Sequence, residues 1–213
     1  YLVIRERKNT GERMAFVITG PGELPGREDL IARCKDLTPS IIWGVNPAIT
    51  DISVARDLHV LHGTDVLHER IGAQTFTIPP NAFFQTNTLM AEKLVAKVRD
   101  LAELTGTELV VDLYCGVGVF GIALAPHAAR VIGVESEPSA IPVAQQNAIA
   151  NGITNAQFEL AQAEGWAFPM EPIDLLVIDP PRSGLHPRVL EKILKLKPKT
   201  IIYVSCNPTA LGR

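Results

Sequence analysis

Cysteine is scarce in this chain. Three residues in 213, Cys34, Cys115 and Cys206, lie far apart, and no C-x-x-C pair occurs. An odd, sparse set argues against a disulfide framework and fits a reducing, cytoplasmic setting; without C-x-x-C no zinc or iron–sulfur site can be read locally. Long apolar runs are also lacking, and none approaches the ~20 residues of a membrane span, so no membrane partner is expected. A basic excess is missing too: 20 Lys and Arg against 23 Asp and Glu leave a net charge of −3. The broad electrostatic footprint of a nucleic-acid binder is therefore absent, although a local basic face is compatible with that total. His59, His62 and His68 fall close together, but no acid or Cys completes a ligand spacing, so they read as a solvated strand and turn and no metal is expected. The opening "YLVIRERKN" has the pattern of a strand and not of a signal peptide; the missing initiator Met is what a piece of a longer protein would show.

What is present has two textures, dividing the chain at 1–75 and 76–213. The first part mixes short strand-like runs (2–5, 14–19, 41–45, 60–62) with one helix over 27–37, broken by the Gly- and Pro-rich loop "TGPGELPG". It is expected to be a small α+β domain. In the second part, apolar runs at 109–114, 131–135, 156–160, 173–179 and 200–206 alternate with helical patterns at 89–101, 138–151 and 187–196. Pro138 suits the first turn of the middle helix and Asn151-Gly152 its end, while Pro142 should loosen that first turn. Such alternation predicts an open, doubly wound, mostly parallel α/β sheet, with ligands beyond the carboxyl ends of its strands. The unusual residues sit at those ends: Asp112 and Tyr114, Glu135, the run Asp179-Pro-Pro-Arg182, and Ser205-Cys206-Asn207. All are expected to face one crevice.

Gly116, Gly118 and Gly121 spell G-x-G-x-x-G, usually a dinucleotide fingerprint, in which glycines allow a tight turn and close approach to a ligand. Two features oppose a pyrophosphate: Asp112 closes the strand just before the loop, and bulky Tyr114 and Cys115 precede the glycines. An anion there suits a ligand carrying an amino group and a sulfonium, so S-adenosylmethionine is the expected cofactor. Glu135 ends the next strand, where a carboxylate suits ribose hydroxyls. Pro-Pro stiffens the turn that holds Asp179 at the crevice mouth. Cys206 reads either as a small buried hydrophobe or as a thiolate nucleophile at the open end of the sheet.

Taken in order, "FFQTN" (83–87), "DLYCGVGVFGIALA" (112–125), "GVE" (133–135), "DPPRSGL" (179–185) and "SCNPTALGR" (205–213) resemble the RNA uracil-C5 methyltransferases. The likeness runs from about residue 76 to the end, and the front part resembles that family's central α+β domain. It implies a class I, Rossmann-like methyltransferase domain that uses S-adenosylmethionine to make 5-methyluridine in tRNA or 23S rRNA. By resemblance, Gln85, Tyr114, Gly116, Gly118, Val119, Glu135, Gln162 and Asp179 contact the cofactor. Asp179 also stands between cofactor and uracil, Arg182 positions the substrate, and Cys206 is the nucleophile. A cytosine-C5 enzyme would carry a Pro-Cys motif after the fourth strand; Asp-Pro-Pro-Arg stands there, which favours uracil.

The pattern also departs from the family. The general-base glutamate and the last two of seven sheet strands would lie beyond Arg213, so weak cofactor binding and inefficient turnover are expected of this chain by itself. Val119 stands where a polar residue is common. The family's N-terminal RNA-binding barrel and the cysteine cluster of some members are not seen. Two other readings stand beside this one: a nicotinamide-dependent oxidoreductase, resting on Gly116–Gly121 alone, and an inactive RNA-binding remnant. A structured RNA partner, no DNA, and a monomer complete the expectation.

Overall fold

The structure is a computed structural model, and it describes residues 1–48 and 54–206. The chain forms two compact units, Tyr1–Leu89 and Met90–Arg213.

The first unit is built on a four-stranded sheet of β1 (Leu2–Glu6), β2 (Arg13–Thr19), β3 (Ser40–Val45) and β4 (Asp57–Gly63), in that spatial order. β1 and β4 run antiparallel to their neighbours, while β2 and β3 are parallel. The parallel pair needs a crossover, and α1 (Arg27–Cys34) supplies it. Met14, Phe16 and Ile18 alternate along β2 and pack with Ile42 and Leu67 into one core, while Ala15 on the opposite face is buried as well. Gly63 is required by sterics: its φ is +72°, and a Cβ there would lie 1.7 Å from the Pro39 carbonyl oxygen.

The unit also holds a hairpin that the sequence reading did not contain, β5 (Leu67–Ile71) paired with β6 (Gln74–Ile78). Its alternation is disguised because the inward position between Leu67 and Ile71 is a charged residue. Glu69 is wholly buried. Its carboxylate accepts from the backbone N–H groups of Lys8, Asn9 and Arg70 and from Thr88 Oγ1, at 2.5–3.2 Å. Those four donors make the buried charge tolerable.

The second unit is the expected parallel sheet. β7 (Leu109–Leu113), β8 (Arg130–Glu135), β9 (Ala156–Leu160), β10 (Leu175–Ile178) and β11 (Thr200–Tyr203) lie in the order β11-β10-β7-β8-β9. All four pairings are parallel. α2 (Thr88–Ala102) leads into β7, and α3 (Val119–Leu124), α4 (Ala140–Ala150) and α5 (Pro187–Leu196) connect successive strands. β7 is buried at all five positions, as a central parallel strand should be. The chain steps outward from β7 to β9, returns to β10 on the other side of β7, and steps outward again. The order therefore reverses between β7 and β10, and the crevice beyond that reversal is where a doubly wound sheet takes a ligand.

Local sequence explains the helix limits. α4 starts at Ala140, two residues later than expected, with Pro142 inside its first turn, where a missing N–H is harmless. Gly152, at φ +69°, follows its end. α5 begins with Pro187 at its first position, and the side chain of His186 accepts from the Arg188 N–H at 3.2 Å.

Candidate active site

The edge formed by the carboxyl ends of the parallel strands starts with the turn after β7. Tyr114 adopts φ +64°, uncommon for a residue with a side chain. Its N–H and that of Cys115 both donate to the Val134 carbonyl at 2.9 and 3.1 Å, so the turn is stitched to β8. Gly116 and Gly118 follow at φ +54° and +89°. A Cβ on Gly118 would lie 2.9 Å from Ile122 Cδ1 and 3.1 Å from the Phe158 ring. Glycine is needed there for close packing as well as for dihedral freedom. Val119 opens α3 and is half-buried.

Glu135 closes β8 and clamps two loops at once. One carboxylate oxygen accepts from the Gly116 N–H at 3.0 Å; the other accepts from the N–H groups of Ser136 and Glu137 at 2.7 and 2.8 Å. Beside it, Tyr114, Val134, Ser136, Ala161, Gln162, Ala163 and Glu164 line a cleft of about 130 Å³. Gln162 is exposed at its rim, and its backbone carbonyl accepts from the N–H groups of Gly165 and Trp166, both at 2.9 Å.

Asp112 requires a correction. The sequence reading placed it facing the crevice as an open anion. It is instead fully buried, beneath α3. Its Oδ2 accepts from the Gly121 N–H at 2.8 Å, and its Oδ1 has no partner among the described residues. Gly121 fits because a Cβ there would already stand 3.2 Å from that carboxylate. Burial raises the Asp112 carboxyl to about 7; the Gly121 N–H acts against this, and the charges of Asp179 and Glu135 act with it.

Asp179 follows β10 directly and is half-buried, with its N–H donating to the Leu113 carbonyl at 3.3 Å. Burial pushes its carboxyl up to about 6. Arg182 is exposed, with no ion pair among the described residues. The two cysteines of this unit have opposite surroundings. Cys115 is buried, and burial, reinforced by Asp112 and Glu135, drives its thiol far above the ordinary value. Cys206, three residues beyond β11, is exposed. Asn207 and the rest of the 205–213 motif lie outside the described residues.

Tyr114, Gly116, Gly118, Val119, Glu135, Gln162 and Asp179 thus gather at β7, β8, β9 and β10, and Arg182 and Cys206 continue the edge at β10 and β11. Gln85 belongs to the other unit, half-buried on the segment between β6 and α2. Sequence reasoning missed Asn147. It is wholly buried on α4, and its Nδ2 donates to the Val117 carbonyl at 3.2 Å, holding the glycine loop from behind. The available signal was an amide on the inward face of α4, in register with Val143 and Ala144, next to Gln145 and Gln146 on the exposed face. The histidines behave as solvated or structural groups. His59 stacks on Trp43, His68 bonds Glu12, and no metal-holding cluster occurs among the described residues.

A parallel sheet reversed at β7/β10, a glycine turn stitched to the next strand, and an acid closing that strand define a Rossmann-like methyltransferase domain. The tRNA (uracil-5-)-methyltransferase family model matches residues 48–213, and the chain belongs to that family. Uncharacterised RNA methyltransferases of Halalkalibacterium halodurans and Nanoarchaeum equitans are 39% and 40% identical over 100% and 98% of this chain, and it covers 48% and 46% of theirs. Among solved structures, the tRNA (uracil-54, C5)-methyltransferase of Pyrococcus abyssi in complex with S-adenosyl-L-homocysteine matches with a TM-score of 0.83 and 36% identity. That match covers 100% of this chain and 51% of the other. The chain spans about half the length of the curated relatives it matches. Family membership removes the nicotinamide reading of Gly116–Gly121. No helix among the described residues is long and apolar enough to cross a membrane.

Proposed function

We propose that this chain carries the methyl-transfer site of an S-adenosylmethionine-dependent enzyme that methylates C5 of a uridine in structured RNA, tRNA or 23S rRNA. The Pyrococcus relative, solved with S-adenosyl-L-homocysteine, supports the cofactor class. The residues present fit it: a cleft between Tyr114 and Gln162, glycines that bring backbone close, and a buried carboxyl oxygen on Asp112 still without a partner. Tyr114 and the Gly116–Val119 turn would hold the amino-acid end. Glu135 would meet the ribose with its remaining lone pairs and Gln162 the adenine side. When bound, the cofactor supplies an electrophilic methyl group on a sulfonium.

The observation that carries the reading is Cys206. Its thiol is exposed on the edge that also holds Asp179, whereas Cys115, one turn from the same cleft, is buried and inert. Uracil C5 is a weak nucleophile. A thiolate adding at C6 moves electron density through the ring to the O4 enolate, and C5 then becomes nucleophilic; loss of the C5 proton must precede expulsion of the thiolate. Asp179 would stand against the uracil edge and Arg182 would orient the RNA.

RNA carrying 5-fluorouridine tests this directly, because fluorine replaces the proton that must leave. Incubated with S-adenosylmethionine and the full chain, tRNA and 23S rRNA fragments are expected to yield a denaturation-resistant adduct that disappears in Cys206→Ala. Adduct persisting in Cys206→Ala would reject the nucleophile, and adduct with neither RNA would reject the reading that this chain carries a working methyl-transfer site for them.

A further inference from the structure

The site holds three carboxyl groups, Asp112, Glu135 and Asp179, at the ends of three adjacent strands. Glu135 is satisfied by backbone donors. Asp112 is not. It is fully buried, has one hydrogen bond, and its Oδ1 is one of two buried side-chain polar atoms without a partner among the described residues. A buried, singly bonded carboxylate beside two others is costly; such a group stays neutral until a compensating charge arrives. The groups that face it are Glu135 from β8, Asp179 from β10 and the Cys115 thiol from the turn, none of them cationic, while α3 above it carries no titratable side chain.

Resting on the cofactor reading above, we propose that Asp112 is a positioning residue that exchanges a proton for the cofactor's charge. It shares a proton with solvent while the cleft is empty and is ionised when S-adenosylmethionine is seated. The balance is simple. The carboxyl group releases its proton to solvent, and the carboxylate left behind offsets the one net positive charge that the sulfonium compound brings. S-adenosylhomocysteine has no sulfonium and no net charge, so on methyl transfer the proton returns. Asp112 thereby makes the cleft prefer substrate over spent product, and the preference strengthens as pH rises. Through the Gly121 N–H it already holds, the same carboxylate tightens the glycine turn when it ionises.

Calorimetric titration of the full chain with S-adenosylmethionine at neutral pH, in two buffers of different ionisation enthalpy, reads the protons released. About half a proton per cofactor is expected, since Asp112 titrates near 7. Release should be absent with S-adenosylhomocysteine, absent in Asp112→Asn and retained in Asp179→Asn. The substrate-to-product affinity ratio should fall with acidification, by at most about tenfold per pH unit. Equal release with both ligands, no release in the unaltered protein, or release lost in Asp179→Asn but kept in Asp112→Asn would overturn the proposal. If Asp112→Asn does not fold, infrared difference spectra of the unaltered protein decide. A protonated-carboxyl stretch must vanish on adding S-adenosylmethionine and stay on adding S-adenosylhomocysteine. Failure of both molecules to bind would refute the cofactor reading itself, a result distinct from binding without proton release.

Discussion

Two aspartates bracket β10 and live in opposite conditions. Asp174, at the amino end, pairs with Lys199 and accepts from the Leu109 N–H at 2.8 Å, and these partners hold its carboxyl below the usual range. Asp179, at the carboxyl end, is pushed up to about 6 by burial. The contrast extends across both edges of the sheet. At the amino edge, Glu108 is held at about 2 by the Thr105 hydroxyl and neighbouring backbone N–H groups, and Arg130 pairs with Glu171. At the carboxyl edge, the groups acting on Asp112 and Asp179 include no cation. One edge has had its charge neutralised for stability; the other keeps unbalanced carboxyl groups ready for a cationic ligand. Perturbed carboxyl groups gathered in a cleft mark a functional site for that physical reason.

The largest expected break is functional. Under the mechanism proposed above, Cys206→Ala should lower methyl transfer by about 10³-fold or more, as loss of a covalent nucleophile does, while S-adenosylhomocysteine binding, followed by calorimetry, stays within about twofold because the thiol is not needed for a non-covalent contact. Next comes packing behind the carboxyl edge. A Cβ on Gly133 would lie 2.5 Å from Phe158 Cδ1 and 3.0 Å from the Cys115 sulfur. Gly133→Ala should therefore cost about 1–3 kcal/mol, read as a lowered urea midpoint.

The pH profile sharpens the contrast. Asp112 and Asp179 have raised values in the folded state, so the folded chain keeps protons that the unfolded chain releases. Stability should fall as pH rises from roughly 4 to 7 and level off above. Asp174 has a lowered value, so its contribution is present above roughly pH 4 and is lost on acidification below it. Asp112→Asn should flatten the decline between those limits; an unchanged slope in urea melts would mean that another group sets it. The smallest effect belongs to the amino edge. Lys199→Ala removes a pair whose lysine is exposed and should lower the urea midpoint least of these changes, and less still in high salt.

The sequence made the second unit readable because its signals are local. Apolar runs mark β7 and β10, a glycine pattern marks the turn, and Asp179 and Glu135 lie just past strand ends, so alternation alone brings them to one edge. What it could not show depended on burial. Asp112 carries the same letter whether it faces a ligand or underpins a helix, and only packing by α3 decides. Asn147 reaches the loop across 30 residues of chain. The β5–β6 hairpin was hidden because Glu69 breaks the apolar alternation, and the donors that permit a buried acid come from residues 8, 9 and 88.

That buried Glu69 also governs how the first unit comes together in time. Its bonds to Lys8 and Thr88 join residues 61 and 19 positions away in the chain. Neither loop closure is rewarded until the hairpin that presents the carboxylate exists, and an unfinished set of donors leaves a charge stranded in apolar surroundings. The unit should thus fold slowly and all at once, because its long-range closures are rewarded together.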